Sequence, residues 1–198
     1  MARLQLNKSS LARQVTQLQS YKRFLPSLDL KRQQLMAERA RARTEAKALR
    51  TEVDELVQQV GERLPMLAQE GIDLEGLVEL DTYDLTEVNV VGVKVPQLAG
   101  VHVTVRPYSP MAKPHWVDNL ARLLKDVIET RLRVSVAEER VRLFEKAVDT
   151  ITQRVNLFEK VLIPQTQANI KRIRIYLNDE QIQAVVRSKL SKRKRTVA

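Results

Sequence analysis

The chain has 198 residues, no cysteine, 4% aromatic residues and a formal net charge of +10. Without cysteine there are no disulfides, thiolate metal sites or cysteine nucleophile, which is compatible with a reducing compartment. Few aromatics and five glycines, beside 43% hydrophobic and 29% charged residues, point to long helices and away from an aromatic-filled globule.

The first arm runs from about Leu11 to Val60, with Ser9 or Ser10 as the expected N-cap. Its apolar positions advance by three and four: Leu18, Tyr21, Leu25, Leu28, Arg32, Leu35, Arg39, Ala42, Ala46, Leu49, Val53, Leu56, Val60. A heptad stripe held this long predicts a supercoiled helix pair. Arg32 and Arg39 interrupt it, with stems able to cover the seam while their heads reach outward. Pro26 lies inside the pattern and predicts a kink near Lys22 to Leu25. Gly61 and Pro65 are expected to end the arm.

Residues 61–115 read as a separate central module. Helix-like pieces from Leu64 to Leu80 are cut by Gly71 and Gly76. A β-branched run from Val88 to Val95, a turn at Pro96 to Gly100, and the alternation Val101, Val103, Val105 predict a short β-hairpin at about 88–106. Pro107, Pro110 and Pro114 interrupt regular structure after it.

The second arm covers 116–190, followed by a basic tail at 191–198. Its seam reads Leu120, Leu123, Val127, Thr130, Val134, Ala137, Val141, Phe144, Val148, Ile151, Val155, Phe158, Leu162. The pattern then shifts by one residue, through Thr166, Ile170, Ile173 and Leu177, which predicts local unwinding. Pro164, at the shift, predicts a second bend. The fold class is therefore mainly α: a long antiparallel two-helix coiled coil from the N- and C-terminal arms, with a small central module containing the hairpin. The arms differ in length, roughly 75 Å against roughly 110 Å at the α-helical rise. Placing Val60 opposite Val117 puts Leu11 opposite Thr166, so residues from 167 onward are expected to extend as a lone helix.

Charge is uneven: +6 over residues 1–60, −4 over 61–115, +1 over 116–163 and +7 over 164–198. No G-x-x-x-x-G-K-[ST] loop occurs, and His102 and His115 have no ligand-like neighbours in sequence. Glu138 and Glu139, beside Arg140 and Arg142, read as a solvated helix face. No catalytic, cofactor or metal residue is expected. The tail Lys189, Lys192, Arg193, Lys194 and Arg195 fits a frayed terminus or a contact with an acidic surface. It lacks the aromatic residues that would stack bases. Residues Met1 to Ser10 lack the apolar core of a signal peptide. No stretch approaches 18 uncharged apolar residues, so no membrane insertion is expected.

Three segments carry a resemblance. Arg154 to Pro164 (RVNLFEKVLIP), followed by Ile170 to Ile173 (IKRI), resembles the C-terminal helix of the D subunit of V-type and archaeal-type rotary ATPases. Leu28 to Leu35 (LDLKRQQL) and Asn89 to Pro96 (NVVGVKVP) resemble that family's first-helix and central segments, in the same order. Pro26, Gln33 and Gln34 depart from its pattern. The resemblance implies a non-catalytic central rotor shaft without cofactors, cytoplasmic and peripheral on the membrane. Its implied partners are the catalytic A and B subunits of the hexamer, the F subunit, and the socket subunit linking to the membrane rotor ring. On that view Arg131, Arg133, Arg140, Arg142 and Arg154 are candidates for contact with acidic loops of the hexamer, as is the basic tail. The alternative is a coiled-coil nucleic-acid-binding or scaffold protein.

Overall fold

The computed structural model describes residues 4–68, 74–108 and 113–197; Gly71 and Pro110 lie outside them. Helix α1 runs Lys8–Arg63. Its cap is Asn7, upstream of the expected serines: the Ser10 N–H donates to Asn7 Oδ1 at 2.7 Å and the Leu11 N–H to the Asn7 carbonyl at 3.0 Å. Asn7 thereby satisfies an amide of the first turn that has no helical acceptor. The helix continues unbroken through Pro26. Gly61 is still helical, and the stop comes at Arg63, where a 3-10 turn at Pro65–Ala68 follows.

The hairpin is longer than expected and turns elsewhere. Strand β1 is Val78–Val90 and β2 is Val93–Val105, paired antiparallel. The segment Val78 to Leu80, read from sequence with helix-like pieces, opens β1. The expected turn at Pro96 to Gly100 lies within β2, where Pro96 faces Glu87 and Gly100 faces Asp84. The chain reverses at Val91 and Gly92, with φ of 52° and 80°. Two consecutive positive φ values make the two-residue turn that matches strand twist. Pro96 is tolerated because a two-stranded ladder leaves one side of each strand unpaired. Two register shifts, at Leu80/Thr82 and Asp84/Leu85, mark bulges.

The second arm comprises α2 (Trp116–Asn156), a π-helical segment (Leu157–Leu162) and α3 (Ile163–Val197). The chain divides into two compact units, one of residues Gln33–Asp149 and the other of Met1–Arg32 with Thr150–Ala198. This division cuts across both arms, unlike the segmentation by composition.

In the Gln33–Asp149 unit, the two helix segments bury Leu35, Ala42 and Ala46 together with Ala137, Phe144 and Val148. Ion pairs between Arg43 and Glu145 (2.5 Å) and between Arg50 and Glu138 (2.6 Å) fix the antiparallel register. That register sets Phe144, 1% exposed, at the level of two small alanines, an alternation of large and small that fills an interface without voids. At the base of the pair, Leu64, Leu77, Trp116, Val117, Leu120, Ala121 and Leu123 form one apolar cluster, with Val78 of β1 packed against it. The Arg106 N–H bonds the Leu77 carbonyl at 3.0 Å, tying the hairpin's two ends together.

In the other unit, Tyr21 and Phe158 meet edge to face, centroids 5.4 Å apart. Asn169 Nδ2 donates to Gln14 Oε1 at 3.5 Å. Ile151, Val155, Thr166, Ile170 and Ile173 are buried. Matching the arms by length would set Gln14 opposite residue 163; the observed contact is with Asn169, about six residues further on. Helix α3 therefore packs as far as half-buried Leu177, and full exposure begins at residue 178 and persists to 195. The expectation of a lone helix from 167 is corrected accordingly: side-chain packing, not arm length, sets the register.

Candidate interaction surfaces

The helix pairs carry their polar chemistry on the flanks of the seam. Positions beside an apolar stripe face the neighbouring helix at its edge, where opposite charges meet across the pair. In the Gln33–Asp149 unit this produces Arg43–Glu145, Arg50–Glu138 and Arg140–Glu45, the last at 3.1 Å. All six side chains are at least partly exposed, so these pairs select register more than they add stability.

The arginines expected to meet a partner are therefore not equivalent. Arg140 is half-buried and engaged with Glu45. Arg142 is exposed and pairs along its own helix with Glu139 at 2.7 Å. Its hydrogen bond to Glu139, then the carboxylate's charge, raises its pKa further. Arg131 and Arg133 are exposed on α2 in the same unit. Arg154, exposed in the last turn of α2, belongs to the other unit, as do Lys189, Lys192, Arg193, Lys194 and Arg195, which are exposed on α3. The expected site residues thus fall in both units. Basic residues in the last turns of α3 also complement the partial negative charge at a helix C-terminus, which helps this segment stay helical.

Sequence inspection missed Glu45, Glu138 and Glu145 as partners of arginines. Each flanks the seam, but which basic residue of the other arm it meets depends on the register.

Near the base of the helix pair, the Tyr108 hydroxyl donates to Asp118 Oδ1, and Lys113 Nζ lies 5.5 Å from the Tyr108 ring centroid. The hydrogen bond to Asp118, then burial, then the carboxylate's charge, push the Tyr108 hydroxyl above its ordinary pKa. His102 and His115 are exposed. Among the described residues no group of His, Asp or Glu is arranged to hold a metal ion, and no helix is long and apolar enough to cross a membrane.

Comparison with known proteins matches the chain to one family. The family model for the ATP synthase D subunit matches residues 10–193. The chain is 32% identical to the V-type ATP synthase D subunit of Borreliella burgdorferi, over 97% of this chain and 95% of that protein. It is 31% identical to the protein of the same name in Chlamydia muridarum, over 98% and 96%. With the Chlamydia felis protein of that name it shares 37% identity over about half of each chain. A match this continuous takes in both arms, the hairpin and the π-helical segment together, and the chain belongs to the ATP synthase D-subunit family.

Proposed function

We propose that this chain is the central stalk of a V-type rotary ATPase or ATP synthase, the shaft that couples ATP turnover in a catalytic hexamer to ion movement through a membrane ring. Family membership across residues 10–193 carries this reading. Two long paired helices are a sound means of transmitting torque, because twisting the pair must shear a packed seam and not merely one hydrogen-bonded chain. The chain contributes no reacting group; its work is mechanical, and the chemistry belongs to its neighbours. It sits peripherally on the membrane, in the cytoplasm, through the assembly.

The partners in this reading are the A and B subunits of the hexamer, the F subunit, and the socket subunit that joins the stalk to the membrane ring. Exposed Arg131, Arg133, Arg142 and Arg154 face acidic loops of the surrounding subunits. The basic end of α3, Lys189 to Arg195, seats in the hexamer's bearing and steers assembly electrostatically. The free-standing nucleic-acid-binding or scaffold alternative is not favoured by the family match.

An affinity-tagged full chain recovered from native extract, with bound proteins identified by mass, tests this. The expected companions are two P-loop ATPase subunits in equal amounts and a small stalk subunit. Recovery of the chain with nucleic acid and no ATPase subunits would contradict it.

A further inference from the structure

The C-terminal seam advances by alternating steps of three and four as far as Leu162. A step of three is then due, to Gln165, but the next buried residue is Thr166, and the alternation resumes through Ile170, Ile173 and Leu177. One residue has been added to an otherwise regular repeat. The backbone holds that residue in the π-helical segment Leu157–Leu162, where the Ile163 N–H reaches back five residues to the Phe158 carbonyl. A π turn is an α turn carrying one extra residue, so the break in the seam and the widened turn are the same event seen in sequence and in backbone.

The surroundings make this turn soft. None of its six residues is buried, whereas Val155 on one side and Thr166 on the other are 2% and 6% exposed. Pro164 follows at once and has no N–H, so it can donate neither to the Lys160 carbonyl in an α turn nor to the Glu159 carbonyl in a π turn. On α1, Pro26 likewise withholds a donor from the Lys22 carbonyl, one residue from Tyr21. Tyr21 is the residue whose ring holds Phe158 edge to face. Both helices of this unit therefore lose a main-chain rung at the level of the Tyr21–Phe158 contact. That contact pins the π turn to α1 by one ring pair, with Leu157 and Val161 left 46% and 48% exposed beside it.

We propose that Leu157–Leu162 is a torsional joint. The extra residue is not fixed to one site: the π turn shifts along the helix and re-phases the residues between Val155 and Thr166, so twist is taken up there while the Ile151–Val155 and Thr166–Leu177 faces both stay seated on the first arm. The joint itself does not depend on the rotor reading. Its use, to take up twist between catalytic steps, does.

Amide hydrogen exchange on the full chain tests the joint alone. Amides of residues 158–163 should exchange at least tenfold faster than those of 151–155 and 170–173. Deleting Gln165 restores the step of three and should slow the 158–163 amides at least tenfold. Pro164→Ala keeps the extra residue, and the fast exchange should persist. Uniform exchange across 151–173 in the unaltered chain would overturn the proposal, and so would loss of the fast amides in Pro164→Ala, which would assign the π turn to the proline. If the deleted chain fails to fold, these two measurements still decide. In the ATP-hydrolysing assembly, the deletion should narrow the angular fluctuation of the shaft at rest. Unchanged fluctuation in a complex that still rotates would refute the mechanical use alone, whereas absence of rotation with the unaltered chain would refute the rotor reading.

Discussion

Val91 takes a φ of 52° at the hairpin turn, a conformation that crowds a β-branched side chain. Asparagine accepts it readily, and Asn-Gly is the favoured pair for this turn. Val91→Asn should therefore stabilise the hairpin by about 1 kcal/mol, read as a rise in thermal midpoint with the fold unchanged by circular dichroism. The same residue explains why the turn was hidden in the sequence. Val91 and Gly92 sit inside a valine run with no Asn or Asp directly before the glycine, while Pro96 and Gly100 nearby carry the usual marks of a turn. Tyr108 makes a second residue-level prediction. Its hydroxyl has a raised pKa in the folded chain, so whatever stability its bond to Asp118 contributes is fully present below the ordinary tyrosine range. That contribution is lost as pH rises through the raised value. The difference in thermal midpoint between the native chain and Tyr108→Phe should hold from neutral pH to about 9 and vanish above the Tyr108 pKa.

Among the elements, the helix pair was the most legible. Every residue assigned to the two seams as far as Leu162 is buried or half-buried, because a heptad stripe has no other low-energy use than facing a second helix. Phe144 is the largest of the side chains closest to full burial, and Phe144→Ala should cost about 3–5 kcal/mol, measurable by urea unfolding. The exposed ion pairs should matter far less. A double-mutant cycle on Arg43 and Glu145 should give a coupling of about 0.2–1 kcal/mol, falling in high salt. What the pattern could not supply was register. The seam repeats every seven residues, so sliding one arm along the other still sets apolar positions face to face, and only particular matches, such as Phe144 at the level of two alanines, Gln14–Asn169 and Arg50–Glu138, choose among the alternatives. For the same reason the start of the exposed end of α3 was misplaced by about ten residues. The acidic partners of the arginines were overlooked because their pairing depends on that register.

For the whole molecule, the candidate surface was only partly legible. Exposure of Arg131, Arg133, Arg142 and the Lys189 to Arg195 run follows from their positions off the seam, but Arg140 is committed to Glu45, which no charge count distinguishes. The absence of cysteine from the chain makes the central claim directly accessible, since a single Thr86→Cys substitution on exposed β1 is a unique point of attachment. With the catalytic hexamer fixed to a surface and a bead coupled to that cysteine, ATP should drive the bead in steps of one direction, stopping when nucleotide is exhausted. A bead that stays stationary while the same complexes hydrolyse ATP would contradict the assignment of this chain as the rotating stalk.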